Sequence, residues 1–116
     1  MPTPDFSIKV GDTASPVYAT LEDDAGAAID IQAATVIFKM GPLSGGTLTV
    51  AANATNAQVG AGTVDGSTGN VVYNWATSDL SVADWYRAEW EVTYSNGSIQ
   101  SFPNAGFMLV AVRDDL

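Results

Sequence analysis

Glu89 and Glu91 stand two residues apart in the run Trp85-Tyr86-Arg87-Ala88-Glu89-Trp90-Glu91-Val92. In an extended chain their carboxyl groups share one face about 7 Å apart, a spacing that a glycosidase pair tolerates. Both alternate with apolar residues, so the expected role is a solvated, charged outer sheet surface that discourages edge association. Glu22, Asp23, Asp24 and Asp30 supply oxygen ligands of the kind Ca²⁺ takes, but the run lacks the alternating spacing of an EF-hand loop and reads as an acidic turn. The sequence contains no His and no Cys. Ser-His-Asp and Cys-His catalysis and His-based metal sites are therefore excluded. Gly60, Gly62, Gly66 and Gly69 form no phosphate cradle, since neither a Lys nor a following helix accompanies them. No enzymatic activity, metal or cofactor is expected.

The stretch that positions these groups runs from Asp84 to Val112. Tyr86, Ala88, Trp90, Val92 and Tyr94 alternate with Arg87, Glu89, Glu91 and Thr93, giving one apolar and one charged face. Asn96-Gly97 is the dipeptide suited to a two-residue type I′ hairpin turn, and Ser98 to Phe102 is expected to run back. Pro103-Asn104-Ala105-Gly106 reads as another turn, before a last apolar strand over Phe107–Val112. That strand has apolar residues on both faces, so it is either central in its sheet or covered by a partner.

Upstream, alternation predicts strands at Phe6–Val10, Pro16–Leu21, Ala27–Ile31, Thr35–Met40, Thr47–Ala51 and Asn70–Trp75. Gly26 is expected to supply a positive φ in the acidic turn, and Gly41-Pro42 to stop the Thr35–Met40 strand. Residues 53–70 are polar and Gly-rich without clear period, with Val59 and Val64 as candidates for a short hairpin. Thr77–Ala83 reads as a turn, with room for one helical turn capped by Thr77 or Ser78. No long run has helical spacing. Short strands punctuated at about 8–12 residues indicate an all-β chain, an immunoglobulin-like β-sandwich of about 7–9 antiparallel strands. Tyr86, entering a late strand after an acidic loop, resembles the tyrosine corner of such domains, with Ala88 where antibody domains carry a cysteine and Trp75 or Trp90 filling the centre.

At 116 residues the chain suits a single domain over 1–116, with 1–5 as a flexible N-terminal segment. The net charge of −9, from 13 acidic and 4 basic residues, argues against nucleic acid and anionic membranes as partners. The N-terminus lacks the features of a signal peptide, and no apolar run approaches the ~20 residues of a membrane span. Synthesis in a cytoplasm is expected.

A set of landmarks carries a resemblance. Gly11-Asp12-Thr13, Leu21 to Gly26, Ile29-Asp30-Ile31 and Thr35 to Met40 come first. Val72-Tyr73-Asn74-Trp75, Asp79, Trp85 to Val92, Asn96-Gly97 and Phe102-Pro103-Asn104 follow. In order and spacing this set resembles the N-terminal domain of the BppU family, upper baseplate proteins of tailed bacteriophages, over nearly the whole chain. The resemblance implies an Ig-like structural component of a virion, in the baseplate, tail or neck or on the capsid surface. Its partners would be other virion proteins, including the major capsid protein, together with copies of itself. The residues expected to make contacts are Trp85, Phe102, Pro103 and Met108, with loops 41–46 and 53–69 and the N-terminal segment. Trp85 faces opposite to Tyr86 and Trp90, and an outward Trp is a common interface anchor. The alternative is a carbohydrate- or host-surface-binding β-sandwich, in which the same Trp85 stacks on a sugar ring.

Overall fold

The structure is a computed structural model and describes residues 3–31, 33–53, 55–56, 69–76, 78–103 and 106–114. The described residues contain strands and turns and no helix. Their strands are β1 (Phe6–Lys9), β2 (Val17–Thr20), β3 (Thr35–Pro42), β4 (Val50–Asn53), β5 (Thr55–Asn56), β6 (Asn70–Tyr73), β7 (Asp84–Thr93), β8 (Ile99–Phe102) and β9 (Met108–Arg113). The larger sheet runs β1-β9-β7-β3-β4, with β8 also on β7; the smaller runs β2-β6-β5.

β7 is the longest strand, and its burial alternates without a break from Trp85 to Thr93. One edge pairs with β3 throughout, from Thr35↔Thr93 to Pro42↔Tyr86. Its other edge is shared: β9 pairs with Asp84 to Ala88 and β8 with Trp90 to Thr93. β8 and β9 are both antiparallel to β7, so they run the same way, end to end. Pro103-Asn104-Ala105-Gly106 is therefore not the reversal its turn residues predict. Phe102 and Met108 pair with Trp90 and Ala88, on either side of Glu89, so the chain resumes the same direction after the segment between them. The Phe102-Pro103 peptide is cis.

The strands are not all antiparallel. β1 runs parallel to β9, from Phe6↔Val110 to Lys9↔Arg113. β9 consequently lies inside the sheet, between β1 and β7, which explains why Val110, Ala111 and Val112 are all buried. Asp5, expected in a flexible segment, is tied down. Its N–H donates to the Leu109 carbonyl at 2.8 Å, and its carboxylate accepts the Leu109 N–H at 2.7 Å.

Other details differ from the sequence reading for local reasons. β3 continues through Gly41 and Pro42 instead of stopping before them; Pro42 is its last residue, where the missing N–H costs least. The 27–31 segment forms one bridge, Glu22↔Ala28, in place of a strand. The Thr47–Ala51 strand is displaced to Val50–Asn53. Residues 78–80 form a turn without helix. The β7–β8 turn is not type I′, because Gly97 (φ 89°) has positive φ and Asn96 does not. Tyr94 N–H bonds to the Ser98 carbonyl and Gly97 N–H to that of Tyr94, the three-residue hairpin with glycine in the left-handed position. The Asn96 side chain instead accepts from the Ser98 N–H and hydroxyl. Gly26 (φ 85°) does have the positive φ expected of it. Val59 and Val64 lie outside the described residues.

The two sheets meet through an aromatic cluster with Phe38 of β3 at its hub. Phe38 stacks on Tyr73 of β6 at 4.9 Å, meets Trp75 edge-on at 5.7 Å and Trp90 of β7 at 4.8 Å. Trp75 and Trp90 both lie in the core as expected, but the centre between them is Phe38, which is wholly buried. Each ring removes on the order of 150–250 Å² from water, so this cluster compensates for a chain whose apolar content is rich in alanine. The result is an all-β fold of one mixed and one antiparallel sheet around one core, compatible with a β-sandwich.

Candidate interaction surface

Trp85 lies on the outer face of β7, opposite in register to Ala111, and is half-buried. The Arg113 guanidinium carbon sits 5.9 Å from its ring centroid, within reach of a cation–π attraction. The remaining expected contact residues divide. Phe102 is 3% exposed, pairs with Trp90 and belongs to the core. Pro103 is exposed and Met108 half-buried. Phe102, Pro103 and Met108 do come together, with Phe107 and Leu21, around a shallow cleft. Of the expected contact loops, 41–46 is described, with Leu43 exposed, while most of 53–69 lies outside the described residues.

The carboxylates behave as sheet surface and turn scaffolding. Glu91 accepts a 2.6 Å salt bridge from Lys39 of β3, leaving Glu89 beside it on the same outer face. The Asp23 carboxylate accepts the N–H groups of Ala25 and Ala27, each at 2.9 Å, and so closes its own turn. No group of three or more potential metal ligands occurs among the described residues. Gly60, Gly62 and Gly66 lie outside them. No helix among the described residues is long and apolar enough to cross a membrane.

Two buried polar arrangements brace the loop that delivers β7. Tyr86 is 4% exposed and donates its hydroxyl to the Val82 carbonyl at 2.7 Å, the bond expected of a tyrosine corner. Burial raises its pKa, with the nearby Asp84 charge adding to the effect. Asp79, 8% exposed, accepts the Tyr73 hydroxyl and the Ala76 N–H. Burial, the bond to Asp79 and the Asp79 charge together push the Tyr73 phenol up to about 12.

A pattern on the outer face of the larger sheet escaped the sequence reading. Register places Lys9, Lys39, Arg87 and Arg113, all the basic residues of the chain, on that face. Arg87 and Lys39 line a cleft of about 290 Å³ with Leu48, Glu89 and Phe107. Leu48 and Phe107 are 43% and 46% exposed. The signal was available in the alternation: each basic residue falls at the solvent-facing parity of its own strand. Which strands share a sheet, and so that the four converge, was not.

No family model matches the chain, and neither a curated protein nor a solved structure matches it.

Proposed function

We propose that this chain is a non-enzymatic structural protein of a tailed bacteriophage particle, an Ig-like β-sandwich that docks in repeated copies on a symmetric assembly. Its partners in this reading are tail, baseplate or major capsid proteins and further copies of itself. The observation that carries the reading is the Tyr86–Val82 bond. Tyr86 belongs to the 85–92 run, one of the landmarks of the resemblance, and stands two residues before the buried Ala88, as in a tyrosine corner. The buried Trp75 and Trp90, and a late strand flanked by β3 and the β8–β9 pair, are in keeping with that fold. Many weak contacts repeated by symmetry attach such a domain firmly through effective concentration. Detecting the protein in purified particles of the phage that encodes it tests the reading.

The carbohydrate-binding alternative asks Trp85 to present an open ring. One face of that ring already carries Arg113, which favours the structural role. Tryptophan fluorescence across a glycan panel separates the two: quenching supports sugar binding, and silence supports the structural role.

A further inference from the structure

We infer that Asn96, at the tip of the β7–β8 hairpin, is a self-modification site. The Gly97 nitrogen closes onto its side chain and converts it, without an enzyme, to aspartate and isoaspartate. The inference goes beyond the proposed role and does not depend on it.

Asn96-Gly97 is the one Asn-Gly pair in the sequence. A glycine after asparagine leaves the attacking main-chain nitrogen unhindered, because it carries no Cβ. Around Gly97 even an added Cβ would meet nothing within 4 Å. Residues Ser95 to Ser98 are all exposed, so water reaches the pair.

The fold adds two donors on the reacting carbonyl. Asn96 Oδ1 accepts the Ser98 N–H at 2.9 Å and the Ser98 hydroxyl at 2.6 Å. A backbone N–H can only donate, so the amide atom facing it is the oxygen and not Nδ2. Both bonds draw electron density from Cγ. They strengthen as negative charge gathers on Oδ1 during attack, as donors in an oxyanion hole do. One bond opposes them: the Gly97 N–H donates to the Tyr94 carbonyl at 2.9 Å and must be released first. That bond is between neutral groups in an exposed turn, where water replaces it at little net cost. The Ser98 bonds are made to the atom that becomes charged, so they prevail.

In the first step the Gly97 nitrogen gives up its proton and bonds to Asn96 Cγ. The Cγ–Nδ2 bond breaks, and Nδ2 leaves as ammonia with that proton. The resulting succinimide takes up one water. Opening at Cγ gives aspartate; opening at the main-chain carbonyl carbon of residue 96 gives isoaspartate, with an extra carbon in the main chain. Either product adds negative charge to a chain already at −9. Isoaspartate also lengthens the loop that the Tyr94–Ser98 backbone bond closes, and so loosens the entry to β8.

Ageing the purified chain in mildly alkaline buffer, with peptide sequencing by mass spectrometry, tests this. Asn96 should convert before the other asparagines, giving two isomeric acidic peptides. Ser98→Ala should slow the conversion roughly 2–10-fold in the folded protein, the factor to which one hydrogen bond of ordinary net strength corresponds. In urea, where the turn is not formed, the same variant should convert as wild type does. Circular dichroism checks that the variant folds. If it does not, Ser98→Thr, which keeps the hydroxyl, is compared with the isosteric Ser98→Val, and Ser98→Val should be the slower. The inference is overturned by an Asn96 that is not the first to convert, by loss of the hydroxyl without slowing in the folded protein, or by equal slowing in urea.

Discussion

The Tyr73 hydroxyl donates to the Asp79 carboxylate across 2.5 Å, joining β6 to the turn that leads into β7. The same carboxylate oxygen accepts the Ala76 N–H at 2.8 Å. Both side chains are buried, so the pair satisfies polar groups that burial would otherwise penalise. It holds the 74–83 connection, and with it Tyr86, against the core.

Replacing Asp79 by Ala leaves the Tyr73 hydroxyl and the Ala76 N–H without their acceptor. The expected cost is about 1–3 kcal/mol, read as a lower urea midpoint at unchanged slope. In a cycle with Tyr73→Phe the two losses should be less than additive, because the residues share one interaction.

Alkaline pH should loosen the fold. The Tyr73 phenol is raised from 10.0 to about 12, and those of Tyr86 and Tyr94 are raised as well. A folded-state pKa above the unfolded one means the native state holds its proton more tightly. The stability linked to that proton is complete below pH 10 and declines as pH rises from there toward 12. Phenolate absorbance in the native protein should thus lag behind that of a denatured sample, and thermal midpoints should fall over that window. A native phenolate titration superimposable on the denatured one would contradict the buried placement of Tyr73.

Trp90 and Trp85 should respond oppositely to truncation. Trp90 is 1% exposed and packed on Phe38, so Trp90→Ala removes core packing worth ~3–5 kcal/mol. Trp85→Ala, on the outer face, should stay within about 0.5 kcal/mol of wild type in denaturant melts. The reverse order would show that the inward face of β7 is misassigned.

Gly69 and Gly97 should differ although both have positive φ. A Cβ at Gly69 (φ 73°) would lie 2.5 Å from the Leu21 carbonyl oxygen, whereas one at Gly97 (φ 89°) would meet nothing within 4 Å. Gly97→Ala should cost about 1–2 kcal/mol for the left-handed backbone alone. Gly69→Ala should cost more, since backbone must also move. Paired urea melts of the two variants check the order.

Alternation made β7 legible from sequence, because a strand with one buried face writes its period into residue type. Tyr86, Trp90 and the acidic turn closed by Gly26 followed from the same local logic. Direction and partnership did not, because period two is the same in parallel and antiparallel ladders. The parallel β1–β9 pairing therefore went unseen, and so did the meeting of Lys9 with Arg113. The 103–106 segment misled for a related reason: Pro, Asn and Gly do not say whether the strands they join run opposite or the same way, and β8 and β9 run the same way. The place of Phe102 beside Pro103 left its facing open, and its register opposite Trp90 puts it inside. Asn96-Gly97 showed where the hairpin is, but not its loop length.

The most direct test of the structural role is quantitative mass spectrometry of purified phage particles, counting this protein against the major capsid protein. The account predicts its presence in copies set by the particle's symmetry. A ratio near that of the capsid protein, or a simple fraction of it, would place the protein on the capsid surface, and a few copies in the tail or baseplate. Absence from the particle would contradict it.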